Sequence, residues 1–329
     1  MSVIGRVTGS LLTAAAGVAG AAIVAPAPAS AASVPTTATL VAYVRGGDVY
    51  ASKGVAETRL TTGGGWSRPQ WAPDGKSIAL LKAGQLWTMK ADGSAKRRVS
   101  TRVAAGASWS PDGKFLAFAS LSCSGGPGVY KISATATNAV PEILFPSYCR
   151  GEDLPTEAEA AAARTAPTGS LSDRLKGDDA VAWSPDGAKI AFRGGDCESI
   201  YDACLTVGTI ATGGEKTVAA YGGGSQQNSG FAVVPAWRRD GAKLAWTAYQ
   251  KGETAATDQP VHVVEYDMAT GAKRNVGASQ DRELAYIDSA RAAATGTYKN
   301  GSWVMVIGLA NGSRAAFHQG SQPSVQPKR

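Results

Sequence analysis

Histidine and cysteine are scarce in this chain of 329 residues, which has two of the first and four of the second. His262 and His318 are remote from each other, and the cysteine spacings match no zinc pattern. No G-x-S-x-G motif, P-loop or dinucleotide-binding G-x-G-x-x-G is present. These absences argue against serine-hydrolase chemistry and nucleotide binding. We predict no cofactor and no metal.

Charge is also sparse, since charged residues make up 18% of the sequence. Setting aside Arg6, which lies in the predicted leader described below, leaves 32 of the 33 basic residues against 26 acidic ones, a net charge of +6. The excess is spread over many positions and forms no basic stripe interleaved with aromatics, so we predict no nucleic-acid partner. An anionic envelope polymer is a weaker possibility that this charge allows.

Long apolar runs are missing after the first thirty residues, and we predict no membrane span. The start has one basic residue, Arg6, followed by an uncharged apolar run and the A-x-A pattern Ala29-Ser30-Ala31. This order predicts a signal peptide over residues 1–31, cleavage near Ala31 and secretion. A membrane-anchoring helix is the alternative. The run is short and rich in Ala and Gly, which favours the signal peptide over such a helix.

Four cysteines in an exported chain predict disulfides. Cys197 and Cys204 are close enough in sequence to close one short loop, and Cys123 and Cys149 would then pair.

One short pattern recurs along the chain. WSPDGKFLAF begins at Trp109, and similar stretches begin at Trp71, Trp183 and Trp237. Each unit contains a short strand ending in Trp, a tight turn, and three further strands, of which the last is the most polar. Four antiparallel strands of this kind are typical of a propeller blade. We predict an all-β protein with one propeller domain over residues 32–329.

The two ends of the sequence are complementary. Three strands without an opening Trp strand come first, and PSVQP near the C-terminus resembles an opening strand with nothing after it. We predict six blades, the first closed by one C-terminal and three N-terminal strands, which removes exposed sheet edges. The opening strand of the last blade, near ASQDR, is degenerate or missing, and ELAYID is assigned to its second strand. Five or seven blades are the alternatives.

The spacing between Trp109 and Trp183 is longer than the others and indicates an insertion at about 147–178. Within it, EDLPTEAEAAAARTAP has early acidic residues, an Ala run and Pro167 as a stop, which predicts a short helix. A disordered loop is the alternative.

The Trp-Ser-Pro-Asp-Gly unit at Trp109 resembles the repeat of the TolB-like propellers. The resemblance covers nearly the whole mature chain but is weaker at Trp237, where RRD replaces SPD. It implies a six-bladed ring, often exported, that acts by binding proteins or peptides. Similar propellers cap the catalytic domain of prolyl-oligopeptidase-like enzymes, and we expect no such domain in a chain that ends at Arg329.

The motif residues themselves are predicted to be structural. Four tryptophans should pack between neighbouring blades, and four aspartates should accept hydrogen bonds from the amides of their own turns. Cation binding is disfavoured because one carboxylate per turn is too few ligands for calcium. These residues are Trp71, Trp109, Trp183, Trp237, Asp74, Asp112, Asp186 and Asp240.

The two faces of the predicted ring differ. We call the face formed by connections between strands 1 and 2 and between strands 3 and 4 of each blade the tight-turn face, because these are short. The opposite face, the elaborated face, receives the longer segments and all four cysteines. Rigid scaffolds usually carry binding sites on such loops. Aromatic and arginine side chains dominate binding hot spots, so the candidates are Trp66, Arg68, Arg102, Arg193, Tyr201 and Tyr298.

The sequence thus predicts a secreted, monomeric, non-catalytic propeller that recognises a protein or peptide. The alternative is a polysaccharide-active glycosidase or lyase that uses paired carboxylates. Asp196 with Glu198, and Glu253 with Asp258, are the acid pairs that the elaborated face offers for such chemistry.

Overall fold

The fold was analysed in a computed structural model. It describes residues 34–328 except 137–138, 165–167, 196, 198–199 and 225–227. The predicted signal peptide at 1–31 lies outside the described residues. The chain forms six four-stranded antiparallel sheets, which confirms the all-β, six-bladed prediction. Among the described residues, no helix has the length and apolar composition needed to cross a bilayer.

The first three blades have regular strands. Blade 1 contains β24 (Ser321–Val325), β1 (Val41–Arg45), β2 (Asp48–Ser52) and β3 (Glu57–Arg59). Blade 2 contains β4 (Trp66–Trp71), β5 (Ser77–Lys82), β6 (Gln85–Lys90) and β7 (Arg97–Val103). Blade 3 contains β8 (Ala105–Trp109), β9 (Phe115–Leu121), β10 (Pro127–Ser133) and β11 (Glu142–Phe145).

The last three blades follow the same order. Blade 4 contains β12 (Ala182–Trp183), β13 (Lys189–Arg193), β14 (Ala203–Thr209) and β15 (Glu215–Tyr221). Blade 5 contains β16 (Ser229–Trp237), β17 (Lys243–Lys251), β18 (Gln259–Asp267) and β19 (Lys273–Val276). Blade 6 contains β20 (Arg282–Tyr286), β21 (Arg291–Tyr298), β22 (Gly301–Gly308) and β23 (Arg314–Gln319).

The ring closes in blade 1. Strand β24 pairs antiparallel with β1, with Val325 opposite Val41 and Ser324 opposite Ala42. The C-terminal strand therefore takes the innermost place in a sheet whose other three strands come from the N-terminal end. This confirms the predicted closure of one strand plus three.

Blade 6 corrects the sequence interpretation. Its opening strand is β20, which contains most of ELAYID, and its second strand is β21, a stretch the sequence suggested was a loop. Ala292, Ala293 and Ala294 are fully buried in β21. Because alanines lack the large apolar side chains of the other second strands, the pattern concealed a core strand.

The repeated turns bond as their sequence predicts. Asp112 Oδ1 accepts from the amide of Lys114 at 3.1 Å and from the Ser110 hydroxyl at 2.7 Å. Gly113 has a φ of +72°, a conformation that favours glycine. The equivalent turn amides donate to Asp74, Asp186 and Asp240 at 2.9, 3.0 and 2.9 Å.

The departure at RRD is compensated locally. Where Ser110 bonds the turn aspartate of blade 3, blade 5 has Arg238, whose Nε lies 3.0 Å from both carboxylate oxygens of Asp240. A guanidinium thus replaces the serine hydroxyl, and the turn is retained.

The tryptophans of the repeat do not all bond alike. Trp109 Nε1 donates to the carbonyl of Gln70 in the preceding blade at 3.0 Å, and Trp237 Nε1 donates to that of Ala182 at 3.0 Å. Trp183 donates within its own turn, to the carbonyl of Gly187 at 3.1 Å. Hydrogen bonds from two of the four therefore link neighbouring blades.

The insertion leaves blade 3 after β11. It contains a short 3-10 helix η1 (Ser147–Cys149), helix α1 (Glu157–Ala162) and helix α2 (Leu171–Lys176). Helix α1 lies where the sequence predicts one, whereas α2 is not predicted; Pro167, the predicted stop, lies outside the described residues. Both helices begin with capping boxes, formed by Thr156 with Glu159 and by Ser170 with Asp173.

Candidate functional site

The innermost strand of each blade, or the segment just before it, has an equivalent position, and four of these six residues line a central cavity to which all six blades contribute, here called the channel mouth. The position lies three residues before the repeat tryptophan, or before the residue that takes its place. We call these six residues the bulge ring: Gln322, Arg68, Gly106, Ala180, Val234 and Glu283, in blades 1 to 6. Gln322, Arg68, Val234 and Glu283 have positive φ angles between 51° and 57°. Such conformations in residues other than glycine cost energy and cluster at functional sites.

One half of the bulge ring is polar. Nη2 of Arg68 donates to Oε1 of Glu283 at 2.8 Å, and the Arg68 amide donates to the Gln322 side-chain oxygen at 2.8 Å. The Gln322 amide in turn donates to Oε2 of Glu283 at 3.0 Å. These residues come from blades 2, 1 and 6, so the network spans the blade in which the ring closes.

Glu283 is an anion in this network. Burial favours its neutral form, but the charges of Arg68 and Arg282 and the hydroxyl of Thr295 outweigh burial and lower the pKa of the Glu283 carboxyl. The Thr295 hydroxyl donates to Oε2 at 2.6 Å.

The other half of the bulge ring is small and apolar. A Cβ added to Gly106 would lie 2.8 Å from the Cβ of Ala180, so glycine is required by this close approach. Beside Gly106, a cavity of about 550 Å³ opens between blades 2 and 3 and the insertion. Its charged lining residues are Arg68, Arg164, Arg174, Asp178 and Asp179. This volume is in the range of small-molecule and peptide side-chain pockets.

Three predicted ligand-binding arginines hold the insertion instead. Nη1 of Arg102 donates to the carbonyl of Pro155 at 2.8 Å, and Nη1 of Arg193 donates to that of Lys176 at 2.7 Å. Arg193 also pairs with Asp179 at 3.0 Å, and Arg68 forms an ion pair with Asp178. The insertion therefore lies against the surface that these arginines were expected to offer to a partner.

The expectation of exposed loop side chains is wrong for part of the candidate set. Trp66, Arg68 and Arg102 are buried. Strand β4 begins at Trp66, whose ring packs edge-on against Trp87 and whose indole N–H donates to the carbonyl of Thr62 at 3.1 Å. Three glycines precede Trp66, which favours a loop by sequence, whereas the strand begins directly after them.

Tyr201 and Tyr298 are exposed, at 41% and 39%. Tyr298 ends β21 and packs edge-on against Trp303, with ring centroids 5.2 Å apart. Tyr201 lies in the connection between β13 and β14, next to exposed Ile200. These side chains are the candidates that remain available to a partner.

Two disulfides join the segments of the elaborated face. Cys123 pairs with Cys149, and Cys197 pairs with Cys204, with Cα atoms 5.6 and 6.2 Å apart. The first ties the connection between β9 and β10 to the start of the insertion. The predicted disulfides are thus confirmed.

The proposed acid pairs do not form a described catalytic centre. Asp196 and Glu198 lie outside the described residues. Glu253 is exposed, while Asp258 accepts a hydrogen bond from the amide of Gly252 at 2.9 Å, within the same connection. Sequence reasoning missed Asp179, which lines the cavity. Burial raises the pKa of its carboxyl, although Arg193 opposes this.

Comparisons with known proteins agree on the fold. No family model and no curated protein matches the sequence. Among solved structures, TolB from Acinetobacter baumannii matches with a TM-score of 0.63 and 16% identity, over 90% of this chain and 68% of that one. The chain has a TolB-like fold. Putative TolB from Agrobacterium tumefaciens gives 0.56 and 15%, over 81% of this chain and 87% of that one.

A third likeness shows how widely this fold is used. Hydrazine synthase from Kuenenia stuttgartiensis matches with a TM-score of 0.55 and 10% identity, over 90% of this chain and 47% of that one. Identities this low concern architecture alone, and fold does not determine function. The function must be argued from the site.

Proposed function

We propose that this TolB-like propeller is an exported, monomeric, non-catalytic binding protein. It recognises a protein or peptide partner through the elaborated face, around the channel mouth. The carrying observation is the cavity of about 550 Å³ between the channel mouth and the insertion. Exposed Tyr201 and Tyr298 lie on connections of the same face and supply the kind of side chain that anchors a partner.

The charge of the elaborated face indicates which partner surface would fit. By sequence, its connections contain 13 acidic and 5 basic residues, a net charge of −8, although the mature chain has +6. A basic segment of the partner would be attracted to this face, and complementary charge accelerates association and improves specificity.

Export is supported by two independent features. Disulfides persist in oxidising compartments outside the cytosol, and the chain has two. The A-x-A pattern ending at Ala31 supplies the matching cleavage signal.

The proposal is tested by capture from native secretome and envelope extracts with immobilised residues 32–329. Variant Y201S/Y298S should lose most of the specifically retained partner, whereas control V55S/V140S, which changes exposed side chains of the tight-turn face, should retain it. The partner should associate more slowly with variant E152Q/D153N/E253Q than with wild type, and the difference should be largest at low salt. Equal loss from both serine pairs would refute the assignment of the face.

An enzyme acting on polysaccharides is the second candidate, and the raised pKa of Asp179 is the observation that favours it. A carboxyl whose pKa is raised by burial beside a cavity is the kind of group that can serve as a general acid. Turnover of a uronate-containing polysaccharide by wild type, abolished in D179N, would support this candidate. Partner capture without turnover would favour the binding protein.

A further inference from the structure

The acidic elaborated face implies that positive charge is concentrated elsewhere. If its connections sum to −8 and the mature chain to +6, the remainder of the chain sums to +14, of which a part, such as Arg68 and Lys251, lies at strand ends on the elaborated face itself. Six cations lie where blades 2 and 3 meet the tight-turn face. We call this set the basic edge: Lys76, Lys90, Lys96, Arg97, Arg98 and Lys114.

Backbone contacts make the basic edge continuous. Lys90 lies opposite Ser77, and the amide of Ala91 donates to the carbonyl of Lys76 at 2.8 Å, so Lys90 at the end of β6 lies beside Lys76 in the turn before β5. The guanidinium of Arg97 reaches the carbonyls of Ala134 and Ala136 in blade 3. The amide of Ala134 donates to the carbonyl of Lys114 at 2.9 Å. The cations therefore extend from one blade onto the next.

Two cations of the basic edge are engaged, since Lys114 pairs with Asp112 at 3.6 Å and Arg97 donates to the carbonyls of Ala134 and Ala136, and its acids are engaged as well. Lys76, Lys90, Lys96 and Arg98 are exposed, and none forms an ion pair with another described residue. Asp92 and Asp112 accept from the amides of Ser94 and Lys114 within their turns. The hydroxyls of Ser94 and Ser110, followed by these amides, lower the pKa values of the two carboxyls.

The carboxylates of the basic edge accept hydrogen bonds from the backbone amides of their own turns. Asp74, Asp92 and Asp112 are its three carboxylates against six cations, which leaves +3. All three hold amides of the repeat. The groups left to meet a ligand are Lys76, Lys90 and Arg98, together with exposed Lys96, whose Nζ donates to the carbonyl of Gly93.

From this we infer that the basic edge binds an extended polyanionic glycopolymer of the cell envelope, with phosphodiester or carboxylate groups along its length. Several separate cations on a continuous edge fit repeating anions better than one small ion. A lipid surface fits less well, because membrane-surface sites add Trp, Phe or Leu to their cations. Among the described residues, the large exposed apolar side chains of this face are Val55 and Val140.

This site is independent of the proposed partner face. The basic edge lies on the tight-turn face, and the partner surface lies on the elaborated face. A protein with both could be held on an envelope polymer while its channel mouth remains accessible to a partner.

The test uses labelled poly(glycerol phosphate) and labelled hyaluronate, a glycopolymer with regularly spaced carboxylates, as probes and phosphatidylglycerol vesicles as the lipid arm. Variant K90E/K96E/R98E changes the basic edge. Control K176E/K251E/K299E changes three exposed lysines of the elaborated face by the same net charge. Binding is measured by fluorescence anisotropy, or by co-sedimentation for vesicles, across a salt series.

We expect the edge variant to lose at least tenfold in affinity for the polymers. Its slope of log K against log salt should fall by about 2, since each phosphate contact contributes about 0.7 to 0.9. The affinity of the control variant for the polymers should stay within about twofold of that of wild type, because its substitutions remove no phosphate contact. Equal loss in both variants would show a net-charge effect and overturn the site, as would absence of polymer binding or preference for vesicles. If the glutamate variant does not fold, K90Q/K96Q/R98Q replaces it, with K176Q/K251Q/K299Q as its control.

Discussion

Arg68 and Glu283 form an ion pair 2.8 Å long that joins blades 2 and 6 across blade 1, where the ring closes. Their side chains are 7% and 5% exposed. Removing one partner from a buried pair leaves an uncompensated charge, which is far costlier than loss of a surface pair. The pair therefore fastens the place where the two ends of the propeller share a sheet.

We predict that Arg68→Met lowers the free energy of unfolding by about 3 to 5 kcal/mol at pH 7, because buried Glu283 loses its ion-pair partner and Asp178 loses the same guanidinium. Arg291→Met is the matched control, since it removes a cation from the more exposed pair with Asp288 and should cost about 1 kcal/mol or less. Urea unfolding of both variants gives the comparison. Equal costs would show that the closure pair has no special role.

The same pair should make stability depend on acidity. The pKa of Glu283 is lowered in the folded protein, so its contribution is present above the unfolded value of about 4.3 and is lost as pH falls through the folded value. Arg68→Met removes one cause of the lowering while burial still raises the pKa. The cost of Arg68→Met should thus be largest at neutral pH and shrink below about pH 4.

Urea midpoints between pH 3 and 7 test this acid dependence. Glutamine cannot titrate in this range. The urea midpoint of Glu283→Gln should therefore fall less steeply with decreasing pH than that of wild type. A constant cost of Arg68→Met over the whole range would contradict the linkage.

Blade architecture could be predicted from sequence because the repeat contains physical requirements at fixed spacing. Gly113 supplies the left-handed turn conformation, and Asp112 bonds the turn amide, so a short motif identifies a strand–turn–strand unit. Blade 6 lacks the motif: Tyr286 takes the tryptophan position, and alanines fill β21. Tertiary packing stabilises its strands, and a local sequence pattern does not reveal such packing.

The site was less predictable, because residue type alone does not show what a side chain contacts. Arg68 and Arg102 suit a binding hot spot equally well by sequence, yet one bonds Glu283 and the other bonds the insertion. Alignment of the repeat units with one another does contain a signal for the Arg68–Glu283 pair. Three residues before Trp71 stands an arginine, and three before Tyr286 stands a glutamate, whereas Gly106 and Val234 occupy the same position in blades 3 and 5.

The repeat tryptophans should differ in their energetic contribution although they share a motif. Trp109→Phe removes the hydrogen bond to the Gln70 carbonyl of the neighbouring blade, and the unpaired carbonyl should cost about 1 to 3 kcal/mol. Trp71→Phe is the control, because its buried indole N–H has no hydrogen-bond partner among the described residues. Chemical unfolding should rank Trp109→Phe well below Trp71→Phe in stability. The reverse order would refute the inter-blade role.

The two disulfides should stabilise unequally. Cys123 and Cys149 are 26 residues apart, whereas Cys197 and Cys204 are 7 apart. Loop-closure entropy then predicts losses of about 3.5 and about 2.4 kcal/mol for the double serine variants. Thermal and urea unfolding of C123S/C149S and C197S/C204S give the ranking, and oxidised wild type serves as the reference for both. A larger loss from the shorter loop would contradict the entropic ranking.

The insertion should loosen without opening the ring. Leu175 of α2 is buried against Phe231 and Val261, so Leu175→Ala should weaken the docking of the insertion by about 2 to 5 kcal/mol. Because the insertion adds no strand to any blade, we expect faster proteolysis between residues 146 and 181 and little change in the main melting transition. Leu244→Ala, at a fully buried position of β17, is the control and should lower the melting temperature of the ring. Limited proteolysis with mass spectrometry detects loosening of the insertion, and calorimetry detects unfolding of the blades. Equal melting shifts would mean that the insertion unfolds together with the blades.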